Sequence, residues 1–446
     1  MRGTFLRGLL YTKASAVQLQ AHQSHKPPQF SYRHFSPTSP RGKHTLCFPL
    51  QIHYHIPAMK NHIIRFIKKE TVLSAALFLA AASSFFVKPS IQYLEYIDFN
   101  TLFLLFSLMC VMADYKSLGA FEKCSRFLLS KTSGTTGIIL VLVLLPFFFS
   151  MLITNDVALI TFVPLALAAL KMSGLEHIIL PTVVLQTLAA NLGSMFLPTG
   201  NPQNLYLYAW SSIPLSSFIK TMLPYTGASF VLLTACSMVM AKRNRMQPLP
   251  DDTSAQTTPQ KPEQNLEQNQ VRVSKRRTAR ATICFILCIL SVGKLLPQSL
   301  LCIIVGLTYL FTSRKILKGI DYSLLMTFVG FFIFVGNIKN LESARTAIAS
   351  LVTGNELLMA VCASQVISNV PAALLLSGFT ENVRALLVGT NIGGLGTLIA
   401  SMASLISFKQ IARNYHDRRA PYFILFTIMN LAFLAILGTM AFFIER

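Results

Sequence analysis

Two long apolar segments of this chain are each interrupted near the middle by a polar mark, Thr154-Asn155-Asp156 within 134–170 and Ser368-Asn369-Val370-Pro371 within 356–378. Each is followed by another apolar stretch broken at Asn-x-Gly, first Asn191-Leu192-Gly193 and then Asn391-Ile392-Gly393. Asn, Asp and interrupted backbone are costly at membrane depth unless protein encloses them or they line a watery cavity. A duplicated pair of such breaks therefore points to a solute path.

The rest of the chain is suited to lipid. It is 53% hydrophobic and 13% charged, with a mean hydropathy of +0.53, and runs such as 137–152 and 422–443 leave too little polar surface to solvate a globule. The net charge of +22 is not a nucleic-acid signature, because residues 1–69 hold eleven Lys and Arg and no acid, and the remainder sits mainly in loops. Cys110, Cys236, Cys284, Cys288, Cys302 and Cys362 fall in or beside apolar spans without a C-x-x-C spacing and read as small core residues, not as metal ligands.

Residues 1–58 carry no span. They read as an upstream start that is not used, or as a disordered extension, since Met59 opens a short basic lead into the first span; an acid-free transit peptide is the alternative. Spans are expected near 71–87, 98–115, 178–208, 218–240, 279–294, 297–312, 320–338, 384–408 and 420–443, with 178–208 and 384–408 interrupted. The segments 134–170 and 356–378 read as re-entrant hairpins of two half-length helices. The polar stretch 241–277 is a cytoplasmic linker between a first half, 59–240, and a second, 278–446.

The halves align in order. Ile97-Asp98-Phe99 matches Ile320-Asp321-Tyr322, Ile153-Thr154-Asn155 matches Ile367-Ser368-Asn369, and the Asn-x-Gly register sets Asn204-Leu205 against Ser404-Leu405. Five crossings separate the Asp98 span from the Asp321 span, which makes the second copy inverted. The fold expected is thus all-α and membrane-integral, with about nine to eleven transmembrane helices in two inverted repeats, each holding a re-entrant hairpin and a discontinuous helix. With a cytoplasmic N-terminus, inner loops hold twelve Lys and Arg, Lys116 among them, and outer loops six.

Chemistry concentrates at the breaks. Thr154 and Asn155 offer donors and acceptors at a hairpin tip, and Asp156, the one acid in the hairpin's apolar core, suits a coupling cation or proton. In 196–205, Pro198 and Pro202 disrupt the helix while Thr199, Gly200, Asn201, Gln203 and Asn204 supply polar atoms and an unwound turn. The second break replaces the prolines with glycines, with Gly394, Gly396, Thr397 and Ser401 as candidate ligands; close helix packing by small residues is the competing explanation. Ser368 and Asn369 complete the set, and Asn155 and Asn369 are also candidates beside the coupling ion. Asp98 and Asp321 read as helix caps, and Asp114 as interfacial.

These four motifs resemble the citrate-transporter-like and arsenite-permease branch of the ion transporter superfamily over about 68–446. The resemblance implies two inverted repeats and a homodimer that moves substrate by an elevator-type motion. In the divalent-anion/sodium symporter relatives each tip reads Ser-Asn-Thr and binds substrate carboxylate, with sodium nearby. Here neither tip has the third threonine, and Asp156 would repel an anion unless a cation or proton accompanies it. The expected function is secondary transport of a di- or tricarboxylate or an inorganic oxyanion coupled to Na⁺ or H⁺ in a bacterial plasma (inner) membrane, with metalloid (arsenite) efflux or Na⁺/H⁺ antiport as the alternative. No cofactor is implied. An enzyme or receptor is disfavoured, because no catalytic set, metal motif or nucleotide loop is evident.

Overall fold

The computed structural model describes residues 70–132, 134–244 and 275–445. The 1–58 extension and most of the 241–277 linker lie outside the described residues. Every regular element described is helical. The first half runs α1 (Thr71–Ser84), α2 (Gln92–Tyr96), α3 (Phe99–Ser117), α4 (Ala120–Ser130), α5 (Gly134–Leu152), α6 (Asn155–Met172), α7 (Ile179–Ser194), α8 (Pro202–Ser211) and α9 (Leu215–Arg243). The second runs α10 (Lys275–Val292), α11 (Gln298–Thr312), α12 (Arg314–Lys318), α13 (Tyr322–Lys339), α14 (Glu342–Val352), α15 (Glu356–Ile367), α16 (Asn369–Leu376), α17 (Val383–Ile392), α18 (Met402–Asn414) and α19 (Arg419–Ile444).

Among the described residues seven helices are long and apolar enough to cross a membrane, or eight if α14 and α15, which meet at 108°, form one broken span. The chain is an integral membrane protein. Asp98 and Asp321 start α3 and α13 as N-caps, their Oδ1 atoms accepting from Thr101 N and Leu324 N at 3.1 Å each. Both were expected as caps, and the reason is the same: a carboxylate satisfies amide groups that the first helical turn leaves free.

Both interrupted helices break where the polar motifs fall. α7 gives way to a short 3₁₀ turn at Pro198–Gly200 before α8, and α17 ends at Ile392, nine residues before α18 resumes at Met402. The second hairpin has short arms, α15 of 12 residues and α16 of 8. The first departs from the half-length expectation, because α5 and α6 have 19 and 18 residues. At ~1.5 Å per residue each arm reaches close to the ~30 Å of a hydrocarbon core. Length arises because the apolar run continues through Pro146 and Pro164 without ending either helix; neighbouring helices can offset the lost backbone bonds in such a setting.

The longest helices outside the expected spans and hairpins are α4 and α14, of 11 residues each. Each stands immediately before its hairpin, and each is too polar and short to read as a span: α4 alternates Lys123 and Arg126 with Phe121 and Leu129, and α14 carries Glu342 and Arg345. Packing between the halves is reciprocal. α1 lies along α13 while α11 lies along α3, and α8 packs on α16 and α17 while α18 packs on α6 and α7. The centre is α7: 83% of the apolar stretch at Glu176–Ser194 is buried, against 22% for the one at His416–Ile444, which faces outward. Asp114, expected at the interface, lies near the end of α3. Its side chain is fully enclosed and bridged by Arg277 at 3.0 Å and Arg280 at 2.7 Å, which ties α3 to the start of α10; a carboxylate can be buried there because two guanidinium groups compensate it.

Candidate functional site

The first tip is built by the end of α5 and the N-terminus of α6. Thr154 is extended (φ −62°, ψ 152°) and makes no side-chain cap bond, so its hydroxyl is left for other partners. Asn155 Oδ1 accepts from the Asp156 amide at 3.1 Å, and Asn155 Nδ2 donates to Asn191 Oδ1 at 3.0 Å. Asp156 stands in the first turn of α6, where free amide groups and the helix dipole favour negative charge. Its Oδ1 is closed off from solvent and has no hydrogen-bond partner among the described residues.

That carboxylate lines a cavity of about 230 Å³ together with Thr154, Thr199, Asn201, Lys116 and Asp321. Leu105, Leu108, Met109 and Met112 of α3 form an apolar wall opposite the tip. Among the described residues Lys116 is the only cation lining it. Two carboxylates, Asp156 and Asp321, an ammonium and several neutral donors around a small apolar-walled space are suited to a small polar solute that brings or exchanges a charge.

Much of the first break is held by its own side chains. Asn201 is extended (φ −154°) and caps α8, its Oδ1 accepting from Asn204 N at 2.9 Å. Asn204 Nδ2 donates to the freed carbonyls of Met195 at 3.2 Å and Ser194 at 3.3 Å. At Gly200 a Cβ would lie 2.0 Å from the Ser194 carbonyl, so the turn closes only around glycine. Thr199 Oγ1 ties the turn back to the hairpin through Met151 O at 3.1 Å.

At the second tip Ser368 holds φ 74° and ψ 155°, a backbone region that costs a non-glycine residue about 1–3 kcal/mol. The turn directs Asn369 N to Ala400 O at 3.0 Å in the second break, and Gly394 lets the Asn369 side chain approach, since a Cβ there would lie 3.0 Å from Nδ2. Ser368, Asn369, Gly394, Gly396 and Thr397 thus form a second cluster, and none of them lines the Asp156 cavity.

The clusters are joined by the two Asn-x-Gly asparagines, each of which grips the other half's break. Asn191 Oδ1 accepts from Ser401 Oγ at 3.0 Å, and Asn191 Nδ2 donates to Ser404 Oγ at 3.2 Å. Asn391 Oδ1 accepts from Asn201 Nδ2 at 3.1 Å, and Asn391 Nδ2 donates to Asn204 Oδ1 at 2.6 Å. Positions 201 and 204 stand at the same offsets from Asn191 as 401 and 404 do from Asn391. Asn191 and Asn391 mark the breaks in the sequence, yet their bridging role needed the fold. Lys116 and Asp321, assigned to a loop and a cap, also enter the site only through tertiary packing.

Comparison with known proteins places this arrangement. The profile of the citrate transporter family matches residues 63–385. An uncharacterised transporter of Methanocaldococcus jannaschii is 31% identical over 323 residues, covering 70% of this chain and 81% of that protein. The inner membrane protein YbiR of Escherichia coli is 27% identical over 346 residues, 77% of this chain and 87% of its own length. A partial match, 28% identical over 148 residues and 26% of the relative, is to a Dictyostelium discoideum protein with the provisional name transporter arsB. With its broken helices, polar tips and a family match across most of its length, this chain belongs to the citrate transporter family, as a membrane transporter and not an enzyme.

Proposed function

We propose that the protein is a secondary transporter of a small anion, a di- or tricarboxylate or an inorganic oxyanion, driven by a cation or proton taken up at Asp156. The observation that carries this reading is the Asp156 Oδ1 atom, buried without a hydrogen-bond partner on the wall of the cavity shared with Thr154, Thr199 and Asn201. An uncompensated carboxylate is expensive in such a place, and binding a cation or proton removes that cost. Lys116 then offers the anion an opposite charge at the same cavity, while the Asn155–Asn191–Ser401 chain links the first tip to the second.

The halves act as inverted repeats. Their element order and reciprocal packing support this, as does the exchange by which Asn191 and Asn391 each hold the other break. Ser368, Asn369 and the 394–401 backbone would complete the substrate's surroundings, with the chain a homodimer in the plasma (inner) membrane and its N-terminus cytoplasmic. The family's name favours citrate, and the partial likeness to the arsB-named protein keeps arsenite efflux as a second reading. One assay separates them: proteoliposomes are given imposed Na⁺ or pH gradients and tested for citrate, oxyanion and arsenite movement and for Na⁺/H⁺ exchange. Gradient-driven anion accumulation is the expected result; Na⁺/H⁺ exchange or arsenite movement without any anion uptake would overturn it.

A further inference from the structure

The second break is closed by a side chain of the neighbouring hairpin. Gln365 lies on α15, three residues before the Ser368 tip, and is half-buried against 393–397. Its Nε2 donates to Gly393 O and Leu395 O, both at 2.8 Å, and its Oε1 accepts from Thr397 N at 2.9 Å. Thr397 Oγ1 returns a bond to the Gln365 carbonyl at 3.1 Å. All of these backbone groups are orphaned because α15 and α17 both stop here, so one amide side chain satisfies much of what the broken helix leaves open. The fit is close. Gly396 has φ +102°, and a Cβ there would stand 2.3 Å from Gln365 Oε1.

The corresponding position of the first half cannot take this part. The residue four before Asn155 is Met151, whereas Gln365 is four before Asn369. A thioether cannot donate a hydrogen bond, and the freed carbonyls of the first break are held by Asn204, a member of the same broken helix. In the second half one hairpin side chain thus meets two carbonyls and an amide of the break. In the first half hairpin and broken helix are joined through Thr199 Oγ1 to Met151 O and Asn155 Nδ2 to Asn191 Oδ1, and Asn204 meets the freed carbonyls. We infer that Gln365 is a positioning residue of the transport site: it fixes the 394–401 backbone against Asn369, so that this half of the site is formed before substrate arrives. This rests on the proposed reading of Asn369 and 394–401 as substrate-facing.

Two variants of the full chain separate positioning from mere support. Gln365→Leu removes all the side-chain bonds at similar volume. Gln365→Glu keeps the shape, but its carboxylate faces two carbonyls and can donate only when protonated, so its defect should shrink as the pH falls, relative to the parent protein at the same pH. In purified, monodisperse protein, Gln365→Leu should accelerate hydrogen exchange of the 393–401 amides by roughly tenfold, the worth of one to two lost neutral bonds. Exchange at 195–201 should stay unchanged. With citrate as the probe in a thermal-shift titration, the half-saturating concentration should rise by a similar factor. Unchanged exchange at 393–401, or a Gln365→Glu defect that ignores pH, would overturn the inference. An Asn155→Ala control keeps it distinct from the site reading: if citrate responses survive Asn155→Ala, or are absent from the parent, the site reading fails while the exchange data still decide for or against Gln365.

Discussion

The two hairpins occupy matching places in the chain, yet they are built to different ends. The first has arms of 19 and 18 residues, an acid one position beyond its Asn155, and a tip turned to a cavity. The second has arms of 12 and 8 residues, a valine at the corresponding position, and a Ser368 turn at φ 74° that pins Asn369 to Ala400. Two tips that differ at one position thus place a charge in one half and fixed backbone in the other. In the first half a buried carboxylate atom is left unsatisfied; in the second the backbone groups freed by the break are met by Gln365 and the Asn369 amide.

The contrast can be broken most severely where backbones touch. A Cβ at Gly193 would lie 2.0 Å from the Phe147 carbonyl, whereas one at Gly393 would meet the Ser364 hydroxyl at 2.8 Å and the Gly389 carbonyl at 2.7 Å. Gly193→Ala should therefore cost about 3 kcal/mol of stability, with Gly393→Ala costing about 1–2 kcal/mol because its nearest backbone carbonyl stands farther off and needs a smaller shift. Thermal unfolding in detergent ranks the two, and equal losses would remove this difference between the halves.

A smaller effect separates the asparagine pairs. Asn155 donates to Asn191 at 3.0 Å, but no such bond joins the equivalent Asn369 and Asn391 among the described residues. Alanine cycles on substrate affinity should give a coupling of about 1 kcal/mol for the first pair and additivity within about 0.5 kcal/mol for the second. Like couplings in both would show that the tips are tied alike. Smallest of all is the cap pair: Asp98→Ala and Asp321→Ala should each lower stability by about 1 kcal/mol. Only Asp321→Ala should also change uptake, since Asp321 lines the Asp156 cavity.

Much of this was legible in the chain. Polar breaks inside apolar runs marked where α5 gives way to α6, where α15 gives way to α16 and where both interrupted helices stop, because costly residues in a lipid setting mark their own positions, but not the full length of the first pair's arms. Caps at Asp98 and Asp321 followed from a single acid before an apolar run. What escaped required three dimensions. α4 and α14 carry no long apolar run, Asn191 and Asn391 are bonded across some 200 residues of chain, and the Asp114 carboxylate finds its arginines only when α3 meets α10. Lys116 looked like a loop charge, since nothing local reveals that it borders the Asp156 cavity.

The unequal hairpins rest finally on Asp156, and one pair of assays on the Asp156→Asn variant tests that directly. Asparagine preserves shape and hydrogen bonding but cannot gain or lose a proton or neutralise a cation. Substrate counterflow across proteoliposomes at equilibrium should persist within a few-fold of the parent protein, since Thr154, Asn155, Thr199 and Asn201 remain, while accumulation against a gradient should vanish. Gradient-driven accumulation at the parent's level in Asp156→Asn would contradict the assignment of coupling to the first tip.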